Sequence, residues 1–155
     1  MTIMERQECM IGSEYLKPVL ALIDEKVTLE EDRRKVKSCI MDVLNAPKGL
    51  VSIDVNDVRD LFHEGGAIHD FDVSVDVLKT NRMKQIMDRI IGKATHFEPY
   101  NHALVFFFFP EEQPLRMDEL QPLADWIESI KGEFMIKGGM ATQTKQELRA
   151  IVLLQ

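Results

Sequence analysis

Two periods run through the apolar positions of this chain. Leu16, Val19, Leu20 and Ile23 recur at helical spacing and predict a short helix over 15–25, with Pro18 tolerable only in its first turn. Residues 1–12 are polar and Met-rich and show no such period. A longer helix is predicted over 28–44. Thr28-Leu29-Glu30-Glu31 reads as a capping box, in which the hydroxyl accepts from a first-turn amide and Glu31 reaches back. Val36, Ile40, Val43 and Leu44 then form one stripe, and Asn45-Ala46-Pro47-Lys48-Gly49 supplies the stop. At 1.5 Å per residue, about 17 residues make a helix roughly 25 Å long.

Leu50-Val51-Ser52-Ile53 is a short apolar extension. Asp54 or Asn56 is placed to cap a following helix that buries Val58, Leu61 and Phe62 and ends at Gly65-Gly66. Phe71, Val73 and Val75 alternate with Asp70, Asp72 and Ser74, the period of a half-buried strand. Met83, Ile86, Met87, Ile90 and Ile91 predict an amphipathic helix over 80–92, stopped by Gly92. Ala103 to Phe109 is apolar without alternation, so it predicts a central strand covered on both faces, with Phe106 to Phe109 in the core. A helix over 117–131 places Trp126 beside Leu123 and Ile127, either at the core edge or as a contact residue. Glu133 to Lys137 reads as a strand, Gly138-Gly139 as a turn, and Glu147 to Leu154 as a closing strand.

This order predicts an α+β fold. It is a two-layer sandwich with a mixed four-stranded sheet packed by helices, preceded by a long helix and closed by an antiparallel pair. Residues 1–27 form an N-terminal polar segment and short helix, and 28–155 the main domain.

Composition narrows the function classes. A length of 155 residues fits one domain. With 19 basic and 26 acidic residues the formal charge is 19 − 26 = −7. No basic stripe interleaved with aromatics is present, which argues against nucleic acid as a partner. Arg33-Arg34-Lys35 and Lys37 directly follow Glu30-Glu31-Asp32 and read as a solvated helix face. Cys9 and Cys39 are too few for a disulfide framework or a zinc site, and a cytoplasmic location is expected. Residues 1–12 hold no signal-peptide core, and no apolar run approaches the roughly 20 residues of a membrane span.

The familiar catalytic and phosphate-binding motifs are absent from the sequence: no Gly-rich phosphate loop, no Gly-x-Ser-x-Gly, no His-Glu-x-x-His. The segment that could carry chemistry is Gly49 to Arg59. It delivers Asp54 and Asp57, three residues apart, to a helix start. One reading is capping, since Asp accepts orphan amides and complements the helix dipole. The other is a polar loop that orients water or a cation at another protein's active site.

The same segment resembles the synergy loop of the bacterial tubulin homologue FtsZ, and the chain from about 28 to 155 resembles the C-terminal domain of the FtsZ/tubulin family. The family pattern is Gly-x-x-Asn-x-Asp-x-x-Asp within Pro-Gly-Leu-Ile-Asn-Leu-Asp-Phe-Ala-Asp-Val-Arg. Gly49, Leu50, Asp54, Asp57, Val58 and Arg59 fall on matching positions, as does the order of the later elements. Pro47 stands one residue early, Ser52 replaces the family's Asn, and Val55 its Phe. The resemblance implies a stand-alone domain that binds no nucleotide or metal itself. It would use Gly49, Leu50, Val51, Ile53 and Arg59 to dock on the nucleotide face of a GTP-binding FtsZ/tubulin-like partner. Asp54 and Asp57 would polarise the attacking water in trans, with Ser52 a shorter substitute for the Asn amide. The setting implied is a cell-division or tubulin-like filament system.

Two other readings stay open. A small-molecule-binding or metal-dependent α+β enzyme would need a pocket lined by the His and Asp residues. A divergent remnant would keep the fold and lose the docking. Asp57, Asp60 and Glu64 share a helix face, either as a cation site or as a solvated surface. His63 closes that helix, His69 sits on a strand, and His96 and His102 flank Tyr100; none has a partnered nucleophile at recognisable spacing.

Overall fold

A computed structural model describes residues 16–47 and 51–155 of the chain. Helix α1 runs through 16–26, and its Val19 and Ile23 are fully buried. Helix α2 (Glu30–Leu44) buries Val36, Cys39, Ile40 and Val43. The Thr28 capping box does not form: the N-cap is Leu29, whose side chain can accept nothing. Burial of Val27 carries the chain one residue further before the helix starts. Glu30, Glu31 and Asp32 in the first turn supply the complement to the dipole instead.

Helix α3 (Val55–Phe62) is short and strongly amphipathic, burying Val55, Val58, Leu61 and Phe62. Strand β1 (His69–Asp76) buries its odd positions from Phe71 to Val75, as the alternation predicts. Helix α4 (Arg82–Ala94) passes through Gly92 rather than stopping there. A Cβ at that position would meet no atom from outside its own helical turn within 4 Å, and the fully buried Ala94 holds the next turn against the core. Strand β2 (His102–Phe109) is buried along nearly its whole length. The predicted helix over 117–131 divides into a 3-10 turn (Met117–Leu120) and helix α5 (Gln121–Ser129), with Pro122 in the first turn of α5 where its missing amide costs no bond.

Strand β3 (Met135–Thr142) runs straight through Gly138 and Gly139, which therefore form no turn. Strand β4 (Glu147–Leu154) closes the fold. The sheet is mixed and four-stranded, in the order β1-β4-β2-β3. β4 lies antiparallel to both β1 and β2, and β3 pairs with β2 in parallel. The expected closing β3–β4 pair is replaced by insertion of β4 at the centre. That position suits its unbroken apolar run Ala150 to Leu154, which is buried on both faces.

Alternation along β2 divides the core. Leu104, Phe106 and Phe108 face α1, α2 and α3. Ala103, Val105, Phe107 and Phe109 face α4 and α5. The sheet with α4 and α5 forms the sandwich, and the long helix α2 with α1 and α3 covers the opposite face. Trp126 is 4% exposed and belongs to the second core, where its ring nitrogen donates to the Tyr100 hydroxyl at 3.2 Å.

Candidate functional site

The segment before α3 is held from three directions. The Val51 carbonyl accepts the Met140 amide at 2.9 Å, so the loop is stitched to the outer edge of β3. Gly139 makes this approach possible: a Cβ there would stand 2.7 Å from the Val51 carbonyl and 2.6 Å from the Phe106 ring. Ile53 turns inward and is buried, anchoring the chain between two exposed residues, Ser52 and Asp54.

Asp54 caps α3 from an extended backbone conformation. Its Oδ1 accepts the Asp57 amide at 2.8 Å, and Asp57 Oδ2 accepts the Asp54 amide at 3.0 Å. The two carboxylates thus form a reciprocal capping box in which Asp plays the role more often taken by Glu. The other Asp57 oxygen accepts from Lys137 Nζ at 2.9 Å. The Asp54 amide, then Lys137, holds the Asp57 carboxyl below the usual carboxylate range. The same contact raises the Lys137 ammonium.

The division of labour between the two aspartates follows. Asp57 has both oxygens engaged and fixes the start of α3. Asp54 is exposed and has one oxygen, Oδ2, with no partner among the described residues. Exposed Val51, at 50% of its full surface, and exposed Arg59 flank it. Gly49 and Leu50 lie outside the described residues. Capping, the structural reading of the two aspartates, is realised in full and leaves one Asp54 oxygen without a partner among the described residues.

Asp60 and Glu64 bind no common centre with Asp57. Asp60 contacts Arg59 at 3.6 Å, and Glu64 lies 3.5 Å from His63. Among the described residues no three His, Cys, Asp or Glu side chains converge as a metal site. His69, Asp70 and His96 do line one groove of about 910 Å3, between α2 and β1. His69 there stacks on Phe97 at 3.8 Å, and no hydrogen bond joins it to Asp70 or to His96.

Lys137 and Gly139 are the site residues that the sequence pattern did not single out. Gly139 had a signal, since glycine inside a strand marks a close backbone approach. Lys137 had none: it meets Asp57 across 80 residues of chain.

No family model matches the chain, and no curated protein matches it. Solved structures do. FtsZ of M. jannaschii, in a mutant form, superposes with a TM-score of 0.58 at 15% identity, over 83% of this chain and 41% of that one. CetZ2 of Haloferax volcanii, in a GTPγS-bound protofilament, gives 0.53 at 15% identity, over 81% and 38%. TubZ of Bacillus thuringiensis serovar israelensis, in a GTPγS-form protofilament, gives 0.59 at 12% identity, over 92% and 39%.

A mixed β1-β4-β2-β3 sheet between two helical layers, with a capped acidic loop stitched to its edge, defines an α+β domain whose fold these FtsZ, CetZ and TubZ structures share. More particularly, the fold is that of the C-terminal domain of the FtsZ/tubulin family. The chain spans about two fifths of the length of these structures.

Proposed function

We propose that this chain is a protein-interaction domain of a tubulin-like filament system. Its loop from Val51 to Arg59 docks on the nucleotide face of a GTP-binding FtsZ/tubulin-like partner, in the cytoplasm. The chain binds no nucleotide itself; GTP belongs to the partner. The exposed Asp54 carboxylate, with one oxygen unpartnered among the described residues, is the observation that carries this reading. A rigidly held carboxylate can orient and polarise a water that attacks a phosphate. Asp57 keeps Asp54 in place through the reciprocal box, and Ser52 adds a short hydroxyl beside it. Docking then changes the partner's polymerisation or its GTP turnover in trans. Among the described residues no helix is long and apolar enough to cross a membrane.

The test adds the protein to a purified FtsZ-type GTPase and follows sedimentation, light scattering and phosphate release. Wild type is expected to co-sediment or to change turnover, and Asp54→Ala to lose the effect on turnover. If wild type does neither, the docking reading fails. If Asp54→Ala and Asp57→Ala both behave as wild type, docking uses another surface.

A further inference from the structure

Among the described residues strand β1 is an edge of the sheet, with β4 as its only strand neighbour. The Val77 amide donates to the Gln146 carbonyl at 3.4 Å, which fixes the phase of the ladder. Odd-numbered residues of β1 turn their main chain toward β4. Even-numbered residues, Asp70, Asp72, Ser74 and Asp76, turn theirs outward. The C-terminal half of this edge is already occupied. Arg89 donates to the Ser74 carbonyl at 3.5 Å, and the Lys79 amide to the Asp76 carbonyl at 3.1 Å. At Asp70 and Asp72 no other residue among those described meets the outward main chain.

The open half of the edge borders the 910 Å3 groove. Its two walls differ in character. On the α2 side stand Asp70, Asp72 and Asp32 with Lys35, which pairs with Glu31 at 3.7 Å; on the α4 side stand Phe71 and Val73 with Lys93 and Phe97, whose ring meets Phe71 edge-on at 6.0 Å. Leu29 and Phe97 remain 65% and 39% exposed at the rim. Asp72 is paired with Arg149 at 2.7 Å. Asp70 is half-buried and Asp32 exposed, and neither has an ion-pair partner among the described residues. Burial pushes the Asp70 carboxyl above its usual range, opposed by its own amide and by Lys35. A half-buried carboxylate with a lysine nearby but no direct ion pair leaves room for a ligand's cation.

We propose that β1 receives an extended peptide of a partner protein as a fifth strand, with basic residues at alternate positions and apolar residues between them. Main-chain bonds at Asp70 and Asp72 supply the pairing, and the two walls read the alternation. Basic side chains fall on the α2 side, against Asp70 and Asp32. Apolar ones fall on the α4 side, against Phe71 and Phe97. A second copy of this chain is a poor occupant, because pairing β1 with itself sets carboxylates of Asp70, Asp72 and Asp76 against one another. This site lies on a different edge from the acidic loop and stands independently of it.

The test is amide hydrogen exchange by NMR on the full chain. The probe is an eight-residue capped peptide of alternating valine and lysine. The controls are a valine–glutamate peptide and a valine–lysine peptide with a central proline. The valine–lysine peptide is expected to slow exchange at Asp70 and Asp72, and neither control to do so. Asp70→Asn, close to isosteric, is expected to weaken binding several-fold with the fold intact by the same spectra. The proposal is overturned if the valine–lysine peptide protects neither amide, if the glutamate peptide protects them equally, or if protection falls on Ile136 and Gly138 at the opposite edge. It is also overturned if the amides are protected without peptide. Dependence on protein concentration would then identify a second copy, and independence of it would identify this chain's own residues.

Discussion

Asp57 and Lys137 stand 80 residues apart in the chain and 2.9 Å apart in the fold. Their contact ties the first turn of α3 to the edge strand β3, beside the Val51–Met140 bridge. An acidic loop that would otherwise hang from a short helix is thereby referenced to the sheet. Both side chains keep about a third of their surface exposed, so the pair acts more on position than on stability.

Lys137→Met separates these effects. The loss of stability should stay under about 1 kcal/mol, as for other partly exposed pairs. The Asp57 carboxyl should rise toward its ordinary value while staying below it, because the Asp54 amide remains. A group held low when folded stabilises above its unfolded pKa, and that contribution is lost as pH falls through the folded pKa. Lys137→Met should therefore show a smaller stability loss on acidification than wild type. Carboxyl titration by NMR and thermal melts below pH 5 check both points.

Gly139→Ala should destabilise the fold by about 1–3 kcal/mol, the usual range for forcing a methyl into a filled site. The new Cβ would meet the Val51 carbonyl and the Phe106 ring. Gly138→Ala is the control: its Cβ would lie 3.6 Å from the Val105 carbonyl, an ordinary contact. The neighbouring substitutions should thus differ clearly in denaturant midpoint.

The contrast between these glycines bears on what the sequence could reveal. Periodicity located α2, α4, β1 and β2 because each buries a face that its own residues define. It mistook Gly138-Gly139 for a turn because the reason for Gly139 lies in a distant partner, Val51 packed on β3, and it took Gly92 for a stop although Ala94 beyond it is buried in the core. Strand order was beyond reach for the same reason. β4 enters the centre because both its faces are covered, and the covering helices lie far off in sequence. Asp54 and Asp57 were legible as a pair because a capping box is local. Lys137, which completes their setting, was not.

Arg82 tests a different tie. It is 6% exposed at the start of α4, binds Glu119 through two nitrogens at 2.6 and 2.7 Å, and also donates to the Gln113 and Pro114 carbonyls. Arg82→Leu strands a largely buried carboxylate and two carbonyls, and should cost about 3–5 kcal/mol. The double variant with Glu119→Leu should recover much of that loss. A denaturation cycle over the four proteins checks it.

Cys39 should report global unfolding. Burial, with Asp72, Asp70 and Asp42 nearby, pushes its thiol from 9.0 up to about 12. Little of the thiol is therefore ionised at pH 8, and the thiolate is the reactive form. In a Cys9→Ser background, alkylation of Cys39 should be slow in buffer and rise with urea along the same curve as the circular dichroism. Fast labelling in buffer would show local opening of α2 instead.

Asp54→Ser distinguishes a cap from a docking group. Serine is as good an N-cap as aspartate, so α3 should keep its start, and stability should change by less than about 0.5 kcal/mol. Asp54→Ala, which removes the acceptor for the Asp57 amide, should cost about 1 kcal/mol. Stability alone therefore ranks Ser close to wild type and Ala below it. Docking predicts another order. A water-orienting carboxylate is absent from both variants, so both should lose the effect on a partner's GTP turnover equally. If turnover instead follows stability, with Asp54→Ser acting like wild type, the unpartnered oxygen of Asp54 is a by-product of capping and the acidic loop has only a structural role.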